Sequence, residues 1–173
     1  TGAMKTLDQW LGGLGRSLRR FHEETDRGEG EVNLDIERSK ILGYLAESGR
    51  YEVSAKRRTS WVERIQGLPA GLEQARLTLS LKGIDVRNLV WNGRGQIAVL
   101  DPGAMKPATP DADLARFLLT LKILYWGELS FAFGRRPGPA TEQAFLRGYG
   151  PWGESGRLNA WLKLKEVLKH WRM

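Results

Sequence analysis

Apolar residues at Leu7, Trp10, Leu11, Leu14, Leu18 and Phe21 recur at helical spacing, with Arg16, Arg19, Arg20 and Glu23 on the opposite face. The spacing predicts a first amphipathic helix. The polar, glycine-containing stretch Glu24 to Glu31 reads as a loop, and a second helix is expected from about Leu34 to Leu45, with Gly49 placed as its C-cap. Tyr51 to Gln66 carries Lys56, Arg57 and Arg58 and then Trp61 and Ile65, and Gly67-Leu68-Pro69 breaks it. A further helix is expected from Ala70 to Leu79.

Beyond that point the period changes. Leu89 to Trp91 and Ile97 to Leu100 read as short strands joined by the turn Asn92-Gly93-Arg94-Gly95. After Pro107 and Pro110, Asp111 or Asp113 can cap a helix from about Ala112 to Trp126. Its apolar residues cover most of its circumference, which predicts a central, buried position. Gly134 to Pro139 reads as a loop, followed by helices near Thr141 to Arg147 and Leu158 to Trp171. The expected class is mostly α (α+β), with one small hairpin.

Composition narrows the function classes. The chain has 173 residues, 41% hydrophobic content and seven Trp, enough for a packed core. No apolar run approaches the ~18 residues of a membrane span, and no segment reads as a signal peptide. With no cysteine, disulfides, thiol catalysis and cysteine metal sites are excluded, and a cytoplasmic location is expected. The net charge of +7 favours anionic partners such as nucleotides. Residues 1–4 read as an expression scar, leaving 5–173 as the domain.

The chemistry concentrates in Leu81 to Gly103 (LKGIDVRNLVWNGRGQIAVLDPG). Asn88 and Asp101 stand 13 positions apart, 101 − 88, and the expected hairpin brings them side by side. An amide oxygen beside a carboxylate suits Mg²⁺, a hard cation that takes few protein ligands and completes its shell with phosphate and water. Phosphoryl transfer most often needs that pairing.

In order, these parts resemble the C-terminal lobe of the aminoglycoside phosphotransferase and choline kinase family, within the protein-kinase-like fold. That family reads H-G-D-x-x-x-x-N, a hairpin, then hydrophobic-hydrophobic-D-x-G/E and a D-L-A-R-like helix. Asn88-Leu89-Val90-Trp91, Ala98-Val99-Leu100-Asp101-Pro102-Gly103 and Asp111-Ala112-Asp113-Leu114-Ala115-Arg116-Phe117-Leu118 carry the likeness, and Leu11 to His22 resembles the lobe's first large helix. The resemblance implies helices over 5–80, a catalytic loop and hairpin over 81–103, and a helical acceptor region over 110–173. It implies Mg²⁺ on Asn88 and Asp101, ATP as donor, and a small hydroxylated acceptor. Asp113 would cap its helix and support the loop.

Two departures set the limits. The family's catalytic Asp falls on Gly83 and its His on Leu81. The nearest carboxylate, Asp85, becomes the candidate base, while Arg87 and Lys82 become candidate phosphate contacts. The N-terminal sheet that grips ATP in such enzymes does not precede Lys5. The expectation is therefore the C-terminal lobe of a phosphotransferase, inactive in isolation. The alternative is a pseudokinase that has lost its base and docks a protein partner. Lys56-Arg57-Arg58 with Trp61 is too short a cluster to favour nucleic acid. His22 and His170 read as surface or packing residues, without a partner at metal-ligand spacing.

Overall fold

The computed structural model describes residues 7–47, 54–68, 70–81, 84–91, 96–124, 139–151 and 156–171. Its elements in order are α1 (Leu7–Glu24), β1 (Glu29–Asn33), α2 (Leu34–Glu47), α3 (Ala55–Gln66), β2 (Leu72–Arg76) and β3 (Thr78–Ser80). A turn of 3-10 helix (Val86–Asn88) leads into β4 (Leu89–Trp91), then β5 (Ile97–Val99), β6 (Lys106–Ala108), α4 (Pro110–Leu124), α5 (Pro139–Tyr149) and α6 (Gly156–Trp171). The class is mostly helical α+β: six α-helices among the described residues, with strands joined as three two-stranded pairs, β1–β2, β3–β6 and β4–β5.

Two compact units share the chain. One comprises Thr1–Gly28 and Arg76–Glu154, the other Glu29–Ala75 and Ser155–Met173. The first unit holds α1, α4, α5 and the hairpin. Leu11, Leu14 and Leu18 of α1 bury against Phe117 and Leu121 of α4 and Phe145 of α5, together with Ile84 and Val86 of the loop between β3 and β4. Phe117 and Phe145 bring their ring centroids to 4.5 Å.

Glycines set the distance between α1 and α5. A Cβ on Gly15 would lie 2.7 Å from the Tyr149 amide nitrogen, and one on Gly148 would lie 2.7 Å from the Gly12 Cα. Both neighbours are backbone and cannot swing aside, so the two helices touch main chain to main chain. That approach carries Tyr149 in towards His22.

In the second unit, Asn33 caps α2. Its Oδ1 accepts from the amides of Asp35 and Ile36 at 3.0 and 3.1 Å. Ser54 caps α3 by accepting from the Arg57 amide. Ile41 and Leu45 of α2, Ile65 of α3, and Trp161 and Leu168 of α6 form a separate core. Burial alone would raise the Glu37 carboxyl, but the ammonium groups of Lys165 and Lys40, each at 2.6 Å, outweigh it and hold that carboxyl below its ordinary range.

Several expectations need correction. Ala70 to Leu79 is not helical: β2 and β3 occupy it, with β3 antiparallel to β6 in the register Thr78↔Ala108, Leu79↔Pro107, Ser80↔Lys106. Pairing with distant strands overrides the helix-forming Leu, Glu, Gln and Ala of LEQAR. The expected loop from Glu24 to Glu31 gives way to β1 at Glu29, so 5–80 is not wholly helical and the hairpin is one of three strand pairs. The α4 helix starts at Pro110, a favoured first-turn residue, which places Asp111 and Asp113 inside the first turn rather than at the cap. Gly49, Asn92 to Gly95, Tyr125, Trp126, Gly134 to Gly138 and the scar residues lie outside the described residues.

The packing predicts opposite outcomes at two helical glycines. Gly148→Ala should lower unfolding free energy by about 1–3 kcal/mol through overpacking against α1. Gly43→Ala, with nothing within 4 Å of the added Cβ, should raise it by about 0.5–1 kcal/mol. Urea titrations of both variants check the pair.

Candidate functional site

The site is built around a loop hung between β3 and β4. Where β3 ends, the Ser80 hydroxyl donates to Asp113 Oδ1 at 2.5 Å and the Leu81 amide donates to Asp113 Oδ2 at 2.8 Å. Asp113 is fully buried on the first turn of α4. Its carboxylate therefore pins the start of the loop from beneath, as the sequence implied, though not as a cap.

Behind Asp113 lies a contact that the sequence did not disclose. His22 is fully buried, with Nε2 3.1 Å from Asp113 Oδ2 and Nδ1 2.8 Å from the Tyr149 hydroxyl. A carboxylate only accepts, so Nε2 carries the proton and donates to Asp113. In the neutral imidazole Nδ1 then accepts from Tyr149 Oη. Burial pushes the Tyr149 hydroxyl well above the ordinary phenol range, and the negative charges of Asp111 and Asp113 push it further the same way. The partners stand 91 and 127 positions from His22 along the chain, so no local pattern could have revealed them.

The Ile84 amide donates to the Leu81 carbonyl at 2.9 Å. Ile84 and Val86 bury their side chains. Asp85 opens the 3-10 turn: its Oδ1 accepts from the Arg87 amide at 2.9 Å, and its carbonyl accepts from the Asn88 amide at 2.9 Å. The Arg87 guanidinium closes on the same carboxylate, Nε to Oδ1 at 3.1 Å and Nη2 to Oδ2 at 2.6 Å. Asp85 thus fixes the loop and is engaged through both oxygens, while Arg87 is held by it with 61% of its side chain exposed.

The β4 and β5 strands follow the loop as an antiparallel pair. Its antiparallel register pairs Leu89↔Val99, Val90↔Ala98 and Trp91↔Ile97. One step further the Leu100 amide donates to the Asn88 carbonyl at 2.8 Å, so Asn88 faces Leu100, and Asp101 is the next residue along the chain. Asn88 is half-buried and Asp101 exposed. The Asp101 Oδ1 accepts from the Gly103 amide at 3.2 Å, which fixes the carboxylate at the mouth of the following loop.

Of the anticipated site residues, Asp85 and Arg87 are tied to each other within one loop, and Asn88 and Asp101 lie at the same end of the β4–β5 pair, with Leu100 as the residue opposite Asn88. Lys82 and Gly83 lie outside the described residues. Among the described residues no cluster of three or more His, Cys, Asp or Glu could hold a metal. An amide oxygen with one carboxylate nevertheless fits Mg²⁺, which keeps several waters and takes phosphate oxygens as ligands.

No protein-family model, no curated protein and no solved structure matches this chain.

Two consequences are measurable. Asp113→Asn turns an acceptor into a donor among buried donors, and should cost about 2–4 kcal/mol of stability in urea unfolding. Because the folded-state pKa of Tyr149 is raised, the unfolded chain releases that proton first, near pH 10. Stability present below about pH 10 is therefore lost as pH rises further. Tyr149→Phe should flatten this alkaline limb, and an unchanged limb would show that Tyr149 does not set it.

Proposed function

We propose that this chain is the C-terminal lobe of a kinase-like phosphotransferase, one that moves a phosphoryl group from ATP to a hydroxyl of a small molecule. The single observation that supports the reading is the β4–β5 pairing, which sets Leu100 opposite Asn88 and so leaves Asn88 and the exposed Asp101 at the same end of the strand pair, after a loop whose start is held by buried Asp113. Asn88 and Asp101 would hold Mg²⁺, which supplies positive charge against the phosphate oxygens. The chain's own contribution is rigidity: Asp113 fixes Leu81, Asp85 fixes Arg87 and Asn88, and the hairpin fixes Asp101. A fixed carboxylate costs little reorganisation when an anion arrives. The net charge of +7 favours the same anionic ligand. A cytoplasmic setting, where ATP is abundant, belongs to this reading.

The Asp85–Arg87 ion pair favours a second reading. A carboxylate bonded through both oxygens to a guanidinium is a poor proton acceptor, since the cation stabilises its charged form. On this account the lobe is a pseudokinase, keeping the loop and serving as a docking module for a protein partner. Its Asp85 would then be wholly a loop-fixing residue.

Calorimetric titration of Mg²⁺–ATP into the full-length gene product tests the first reading. Magnesium-dependent binding is expected, and Asp101→Asn should abolish it. Binding that survives Asp101→Asn would overturn the metal assignment. Arg87→Gln separates the two readings. Release of Asp85 should leave or raise turnover with a hydroxylated acceptor in a phosphotransferase, and should give none in a pseudokinase.

A further inference from the structure

The second unit contains a cavity that plays no part in the reading above. Its volume is about 390 Å³, and α2, α3 and α6 each contribute a wall. Leu45, Trp61, Ile65, Leu164 and Leu168 make that wall apolar, with Val167 at the exposed edge. The one charged lining group is Arg64. It is exposed and, among the described residues, its guanidinium has no ion-pair or hydrogen-bond partner.

Two further cations lie on the helices that line the cavity. Arg57 precedes Trp61 by one turn and Arg64 by two, which places all three on one face of α3. Lys163 stands one turn before Val167 on α6 and is exposed. Glu166 is buried and faces Lys169 at 3.6 Å, so it does not offset the cations at the edge.

We infer that this cavity binds an amphipathic anion, with an acyl or aromatic body between the three helices and an anionic head on Arg64. Size excludes the larger alternatives. A volume of about 390 Å³ is at the lower end of small-molecule sites and too small to seat a partner helix. The apolar wall gives affinity by burial, and the guanidinium gives selectivity for a carboxylate or sulfonate over a neutral head group.

The probes are decanoate and its neutral counterpart decan-1-ol, titrated into the full chain and followed by tryptophan fluorescence and calorimetry. Saturable decanoate binding below its micellar range is expected, tighter than binding of the alcohol. Arg64→Gln should weaken decanoate by about fivefold and leave decanol unchanged. Val167→Trp, at an exposed position that tolerates bulk, should obstruct both probes while the circular dichroism spectrum stays the same. Absence of saturable decanoate binding by the unmodified chain would overturn the inference. Equal loss of both probes in Arg64→Gln would overturn the anion assignment, and undiminished binding in Val167→Trp would place the site elsewhere.

Discussion

Asp113 is the group on which the first unit depends. A carboxylate with no exposure to water must have its charge met by donors, and three come from two parts of the chain: the Ser80 hydroxyl and the Leu81 amide from one, and the His22 ring from the other. Ser80 and Leu81 bring the end of β3, His22 brings α1, and the acceptor itself rides on α4. Tyr149 adds α5 through the other imidazole nitrogen. The glycine contact between α1 and α5 is the steric condition for this arrangement, because any side chain on Gly148 would push the helices apart.

From that anchor the loop is determined in steps. Its start is fixed by Asp113 and its middle by burial of Ile84 and Val86. Its end is fixed by Asp85, which bonds the Arg87 amide and guanidinium while its carbonyl takes the Asn88 amide. The antiparallel pairing of β4 and β5 then sets Leu100 opposite Asn88, with Asp101 one residue on. Hydrogen bonds thus hold this loop at Leu81, Arg87 and Asn88, and Asp101 after it is exposed. The second unit is built on a separate apolar core of α2, α3 and α6.

The sequence disclosed whatever depended on local period. The Leu7 to Leu18 stripe became α1, and the two β-rich runs around Asn92 became β4 and β5. What it concealed depended on distant partners. LEQAR has the residues of a helix and takes strand form because β1 is there to pair with it. Polar EGEVN looked like a loop for the same reason. His22 resembled any histidine on a helix, and its role rests on Asp113 and Tyr149, which the sequence separates widely. Division into two units was equally hidden, since each is assembled from two stretches of chain. At the candidate site, the strand pair between Asn88 and Asp101 was legible from its turn and its β-rich runs. The grip of Arg87 on Asp85 was not, since spacing alone does not show which way either side chain turns.

The central claim is that Asn88 and Asp101 form one metal–phosphate site. Paramagnetic relaxation tests it most directly, with Mn²⁺ substituted for Mg²⁺ in the presence of ATP and amide signals followed by nuclear magnetic resonance. The account predicts selective broadening of the Asn88 side-chain amide and the Gly103 backbone amide, with both signals restored in Asp101→Asn. Broadening centred elsewhere, or unchanged by that substitution, would contradict it.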